Sequence, residues 1–571
     1  MTSSALSLAR HELFPEGLPD GRAALAEGRA LAASITVQRC PFLDLHGIAS
    51  EAEFKRRSME SGRLMFHAQI GYRDPDESRR AWAEIHEGCA PDRYGICLDW
   101  SMGYPGHLRR GKPRGTGLIL DKAEDFRALT QMAPVAPHFG DFVMGTPAAL
   151  ENVAAALQAG ATVIGNMGQY FTFRLPHWDD DVETTLATVR ALGLIAAQKV
   201  EVLVHSNLDD GFASWFSDLA SALGAAMIER YVVEELIGGR VTHCFGHTFG
   251  DPVTRLAFQR ALAVASPAPG SMLYGNTTAY GASDAANYGA LAGYLLVDLM
   301  GQATRPSGHA VNPVPVTEAQ RIPAPQEVVA AHLAGRRLAE KLPGLLPLFD
   351  ETKAMALVPS LLAGAEAFRT RTLDALDSAG IDIRDPAQVL LALRRLGAHR
   401  LEQIAGSGAR VLQSPHASEM EETADRVLTR LNDGARERLR RKALKICTAS
   451  TDVHFYGKRL MDRIGQRAGL TMVDGGISTD PDDLADILRS SGAKVLVLAT
   501  YNGVALSYVQ RLKAECAVRN LDVAIYVGGR LNEIMSDANS NLPVDVEMDL
   551  RQTGAIPCAD LEELITRLAA E

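Results

Sequence analysis

The stretch Ala443-Leu444-Lys445-Ile446-Cys447-Thr448-Ala449-Ser450-Thr451-Asp452-Val453-His454-Phe455-Tyr456-Gly457 decides how the C-terminal part of the chain is read. An apolar run enters a polar turn, and a helical pattern starts at Phe455. That is a strand-to-helix turn carrying the spacing Asp-x-His-x-x-Gly. A carboxylate two residues before an imidazole can bond one ring nitrogen and so fix the tautomer of the other, which suits a metal ligand. Gly457, with no Cβ, lets a bulky group approach the backbone.

The same strand-then-helix rhythm continues to the C-terminus. LTMVDGG precedes DPDDLADILRSS, AKVLVLATYNG precedes ALSYVQRLKAECAVRN, and DVAIYVGGR precedes LNEIMSD. DVEMDLRQTG with CADLEELITRLAA completes five units. This pattern predicts a small flavodoxin-like parallel sheet over residues 441–571, which takes ligands at the C-terminal ends of its strands. His454, Tyr501 and Gly528 fall at such ends.

Upstream, from about Leu64, short apolar runs end in Gly, Pro, Asn or His, and Ala/Leu-rich helical stretches follow them. LMFHAQIG, RYGICLDWSMG, DFVMG, TVIGN, KVEVLVHSN, RVTHCFGHT and SMLYGNTT are such runs. Seven or eight repeats over ~260 residues predict a parallel α/β fold of the length of a (β/α)8 TIM-like barrel, with a doubly wound sheet as the competitor. The barrel is favoured because polar residues recur at strand ends: Asp99, Asn166, His205, Asn207, His243, His247, Asn276, His309 and Asn312. Singly, each reads as a loop or capping residue; together they suggest a polar site at one mouth. Residues 1–60 read as a helical leader packed on the barrel of 61–325, and 326–440 as a helical connecting region with a linker at GSGARVLQSPHAS.

Apolar residues make up 47% and charged residues 22% of 571, which fits a globular protein of several domains. A net charge of −11 argues against a nucleic-acid or anionic-membrane partner. No apolar run approaches the roughly 20 residues of a membrane helix. The N-terminus lacks a secretory pattern, and the seven cysteines are scattered without a CxxC pair. Both features predict a cytoplasmic protein with reduced thiols.

Asp452, His454 and Gly457, with Ala499-Thr500-Tyr501 and Gly528-Gly529 downstream, resemble the three signature elements of the cobalamin-binding domains of mutases and methionine-synthase-like methyltransferases. The resemblance implies that His454 ligates cobalt, that Gly457, Thr500 and Tyr501 line the cofactor's seat, and that Gly528 and Gly529 open space for its nucleotide tail. The family's Ser-x-Leu is replaced here by Ala499-x-Tyr501, so Thr500 is the hydroxyl available to the tail.

Residues 60–325 distantly resemble the catalytic barrel of glutamate mutase (methylaspartate mutase), through Met144-Gly-Thr-Pro147, Asn166 and Ala226-Met-Ile-Glu229. The order barrel, then cobalamin domain, resembles 2-methyleneglutarate mutase. The implied function is an adenosylcobalamin-dependent radical carbon-skeleton mutase acting on a small amino or branched carboxylic acid. Glu229 would contact a substrate amine or serve in acid-base steps, with Asp99 and Asn166 as polar positioners. Arg305 would replace a lysine near the adenosyl ribose, and family habit implies a homodimer. The substrate-clamping arginines of the family are not matched: Gly103 and Ser206 stand at two of those positions. Arg109, Arg110 and Arg114 could form another carboxylate clamp. A methylcobalamin-dependent methyltransferase and a cobalamin-binding sensor or carrier are the alternatives, the former suggested by the helical region before the cobalamin domain.

Overall fold

The computed structural model describes residues 8–571 except Arg73, 113–116, Ala282, 432–433, 435–436, 438, 440–443, 452–455, Asn502, 534–543 and Glu571. The chain forms two compact units. The first takes in Met1–Lys112, Gly117–Thr172 and Asp180–Ala417; the second is chiefly Phe173–Asp179 and Ser418–Glu571. The stretch expected to be a connecting region is therefore divided. Its helices Pro325–Glu340, Thr352–Ser378 and Pro386–Ala405 belong to the first unit. The expected linker is also tied to that unit, since Val411 and Leu412 donate their backbone N–H groups to the Asp218 carboxylate at 3.0 and 3.1 Å.

In the first unit six strands form one parallel sheet in chain order: β1 His67–Ile70, β2 Arg93–Ile96, β3 Ala136–Phe139, β4 Val163–Gly165, β5 Leu203–Asn207 and β6 Arg240–Cys244. A second parallel pair, β7 Met272–Leu273 and β8 Ala310–Val311, joins both edges of it. Parallel bridges link Phe245 to Leu273 and Phe66 to Val311. Several of the helices between strands start at an aspartate that caps them. Asp74 accepts from Glu77 N, Asp180 from Glu183 N and Asp251 from Thr254 N, each cap contributing about 1 kcal/mol.

Alternate strand residues face outward and meet these helices. Trp82 stacks on Tyr94 at 4.1 Å, and Phe126 lies 5.0 Å from Phe139. The inward positions are unusual for a packed core, because they carry histidine and glycine. His67, His138, His205 and Ser271 sit on β1, β3, β5 and the residue before β7, all buried. His138 and His205 meet ring to ring at 4.4 Å, and His205 Nδ1 pairs with Ser271 Oγ at 2.8 Å. Glycines make the room. A Cβ on Gly95 would lie 2.8 Å from His67 Nε2, and one on Gly140 would lie 2.4 Å from His138 Nε2.

The helix Glu51–Glu60 of the expected leader places charges against this interior. Arg93 Nε meets Glu51 Oε1 at 2.8 Å, with both side chains 2% exposed. Lys55 Nζ donates to the carbonyls of Ser271 and Gly308 at 2.9 Å.

The second unit holds β9 Lys445–Ser450, β10 Thr471–Ile477, β11 Val495–Thr500 and β12 Ala524–Gly529. A small antiparallel pair follows, β13 Asn532–Glu533 with β14 Val544–Asp545, and then β15 Ile556–Pro557. The parallel sheet runs β10-β9-β11-β12-β15, the doubly wound order 2-1-3-4-5. Period-two alternation in β11 feeds two cores. Val495 and Val497 pack with Ile464 and Ile565, while Leu496 and Leu498 pack with Leu484 and Leu512.

Candidate functional site

The C-terminal ends of the first unit's strands gather a polar group that no single stretch of sequence displays. Asn166, directly after β4, accepts with its Oδ1 from Gly168 N and Asn207 N at 2.9 and 2.8 Å. Its Nδ2 is thereby aimed at Asp210 Oδ2, 2.8 Å away, and Asn207 Nδ2 reaches the same oxygen at 3.0 Å. Neighbouring Asp209 is spent on structure: it accepts from Gly246 N, His247 N and Thr248 Oγ1 at 2.7–3.2 Å and so fixes the turn after β6. That turn carries His247, whose Nδ1 pairs with Thr277 Oγ1 at 2.5 Å.

Asp210 is solvent-accessible, yet the atoms packed around its carboxyl raise its pKa; Asp209 raises it further, while His247, Asn207 and Asn166 act in the opposite direction. Asp141, after β3, is pushed up to about 7, first by burial and then by the charge of Asp210, against the bond to Cys97. A carboxyl poised there can hold or give up a proton at neutral pH. Burial, then Asp141, raises the Cys97 thiol, which accepts from Gln69 Nε2 at 3.0 Å, so Cys97 is a protonated hydrogen-bonding partner rather than a nucleophile. Tyr274, after β7, has its phenol pKa raised first by burial and then by the charges of Glu318, Cys97, Asp141 and Asp210, so it stays protonated; its ring lies 5.7 Å from that of His247.

Of the residues expected at this mouth, Asn166, Asn207 and His247 are brought together. Asp99 caps the turn Trp100–Gly103 by accepting from Ser101 N at 2.9 Å. Asn276 opens the next turn, after β7. His205 and His138 are interior residues with pKa values well below the ordinary range, chiefly through burial and then Arg93, and they stay neutral. His309 likewise falls to about 3 through burial and then Lys55.

Glu229 is not with this group. It lies on the helix Leu219–Arg230 and meets outward-facing His243 Nε2 at 3.3 Å, in the layer between helix and sheet. Arg109 spends its guanidinium on the carbonyls of Leu120, Met102 and Tyr104 at 3.2–3.4 Å and on Glu151 at 3.5 Å, and thus staples its own loop. Arg110 is exposed, and Arg114 lies outside the described residues. Arg305, at the C-terminus of the helix Asp284–Thr304, pairs with Glu351 at 3.0 Å. Asp141 was missed because DFVMG (141–145) reads as a strand run, whereas the strand is Ala136–Phe139 and Asp141 lies in the bend after it; Asp210 was missed because it lies just past the run ending at Asn207. The available signal was their place directly after apolar runs.

In the second unit Asp452 and His454 lie outside the described residues, and the other motif positions surround the strand ends there. Among the described residues a Cβ on Gly457 would meet only Ala499 Cβ, at 3.3 Å, and one on Gly528 only Cys558 O, at 3.9 Å. Gly529 adopts φ +102, and a Cβ there would sit 2.2 Å from Thr500 O. Thr500 is 4% exposed and its Oγ1 has no hydrogen-bond partner. The Arg530 guanidinium lies over the ring of half-exposed Tyr501 at 4.5 Å. Among the described residues no cluster of three or more His, Cys, Asp or Glu side chains has metal-binding geometry, and no helix is long and apolar enough to cross a membrane. No family model matches the chain, and no curated protein matches it significantly.

Proposed function

We propose that the protein is an adenosylcobalamin-dependent radical carbon-skeleton mutase, in which a (β/α)8 barrel carries the substrate and the C-terminal unit carries the cofactor. The observation that carries the reading is the combination, at the strand ends of a 2-1-3-4-5 sheet, of a buried hydroxyl without a partner at Thr500, the open glycine Gly528 and the close approach of Gly457 to Ala499, where a Cβ would be tight. A buried donor left unmade costs about 1–3 kcal/mol, and a cofactor's polar tail would repay it. Two bridges joining β7 and β8 to both edges of the six-strand sheet, and an inward layer drawn from β1, β3, β5 and the residue before β7, support the barrel.

The described residues fit the group. His454, with Asp452 on its other nitrogen, would ligate cobalt; Gly457, Thr500, Tyr501, Gly528 and Gly529 would seat the macrocycle and tail. Bound there, adenosylcobalamin supplies homolytic radical chemistry that no side chain provides. The chain's own part is to bind and orient substrate and to hold protons. Asn166 and Asn207 fix Asp210, Asp141 can hold or release its own proton near neutral pH, and Tyr274 contributes a protonated phenol.

The test is anaerobic spectroscopic titration in the dark with adenosylcobalamin and methylcobalamin, followed by product analysis with amino and branched carboxylic acids. Selective binding of the adenosyl form and a rearranged product are expected. Selective binding of the methyl form, or methyl transfer, would point to a methyltransferase and overturn the reading.

A further inference from the structure

The charges at the first unit's strand ends are lopsided. Asp141 and Asp210 raise the question of a counter-charge, and among the described residues no lysine or arginine supplies it. Arg109 is taken by three carbonyls. Arg255, beneath the turns after β6 and β7, is taken by Asp298 and by the carbonyls of Gly246, Phe249 and Tyr274. The groups that bear most on Asp210, apart from burial, are His247, Asp209 and the two asparagines.

A second observation is independent of the carboxylates. Asn312 is 2% exposed, and its Nδ2 has no partner. It follows Val311, which pairs with Leu273 and bridges to Phe66, so Asn312 stands level with Tyr274 on one side and His67 on the other. His67 faces inward, and strand alternation gives Asn312 the same face. The unpaired Nδ2 of Asn312 therefore points into the interior, at the level of Tyr274 on the neighbouring strand.

We infer that this site takes a basic amino acid: a substrate whose side-chain ammonium is held by Asp141 and Asp210 and whose oxygen is held by Asn312. The inference rests on reading these strand ends as the substrate site of the proposed mutase, and it names a substrate of opposite charge to a dicarboxylate. Two carboxylates strengthen their ionised forms around an ammonium and repel a second acid. The asparagines on Asp210 leave its other oxygen, Oδ1, for the ligand.

The experiment is isothermal titration of the full-length protein, with no cofactor present, against L- and D-ornithine, L-lysine, L-glutamate and 3-methylaspartate. A basic amino acid is expected to bind at least tenfold more tightly than either dicarboxylate. Asp210→Asn should weaken the basic ligand at least tenfold. Asp141→Asn, which keeps shape and removes charge, should do the same with the thermal midpoint not lowered, so a folding defect in one variant does not decide the result. Tighter binding of glutamate or methylaspartate, equal weak binding of all five, or unchanged ornithine and lysine affinity in both folded variants would overturn the inference. Because the readout needs no cobalamin, ornithine binding without adenosylcobalamin binding keeps this inference and removes the mutase reading. Adenosylcobalamin binding with a preference for glutamate does the reverse.

Discussion

Substituting Asp298 by Ala should cost the first unit more than any surface change, and should loosen the candidate site as well. Asp298 and Arg255 are each 1% exposed, joined by Nε–Oδ1 and Nη2–Oδ2 contacts of 2.7 Å. The same guanidinium donates to Gly246 O at 2.8 Å and Tyr274 O at 2.6 Å, so it ties together the turns that carry His247 and Tyr274. Removing the carboxylate leaves a buried cation with carbonyl dipoles but no counter-charge. Breaking such a pair by deleting one partner costs about 3–5 kcal/mol. At the lower end of the usual conversion, given a unit larger than 250 residues, that is a fall of roughly 6–10 °C in the midpoint. Calorimetry of the full-length protein is the assay, since two units need not unfold together. Asp298→Asn, which keeps an acceptor, should cost less, and Arg255→Met combined with Asp298→Leu should cost less than the sum of the single changes, because the two residues are coupled. A shift under about 2 °C for Asp298→Ala would mean that the pair is hydrated, and would refute the reasoning.

Asp141 gives a pH dependence of definite sign. Its folded pKa, raised from 3.8 to about 7, means that the native state keeps a proton between those values after the unfolded chain has released it. Stability therefore falls as pH rises through that window and is level above it; Asp141→Asn should remove the slope and gain up to about 4 kcal/mol over wild type at pH 8, as read by denaturant titration. A slope unchanged in the variant would show that Asp141 titrates normally. Gly529 and Gly528 should part company although they are adjacent. Gly529→Ala meets both the left-handed φ of +102 and a 2.2 Å approach to Thr500 O, and should destabilise the second unit by about 2–4 kcal/mol. Gly528→Ala should change it by less than about 0.5 kcal/mol; equal losses at both positions would contradict the backbone described here.

Much of the fold was legible because period-two runs and Asp-capped helices are local signals. The runs ending at Asn166 and Asn207 are β4 and β5, and AKVLVLAT is β11 with its alternating faces. β7 and β8 were harder, since each contributes only two paired residues and depends on neighbours for its place. The interior was not legible. Nothing in Glu51-x-x-x-Lys55 distinguishes a solvated helical pair from one that closes on Arg93 at 2% exposure, because that depends on contacts far along the chain. Arg109 looked like a carboxylate clamp for the same reason: its partners are carbonyls, which have no sequence signature. Glu229, singled out by resemblance, instead faces His243.

The claim that the second unit holds cobalamin through His454 is tested most directly by electron paramagnetic resonance. Cob(II)alamin at natural abundance would be bound to uniformly nitrogen-15-labelled protein. Coordination by a protein imidazole splits each cobalt line into a doublet, and His454→Ala should abolish it. Triplets, from the nitrogen-14 of the cofactor's own base, or no binding at all, would contradict it.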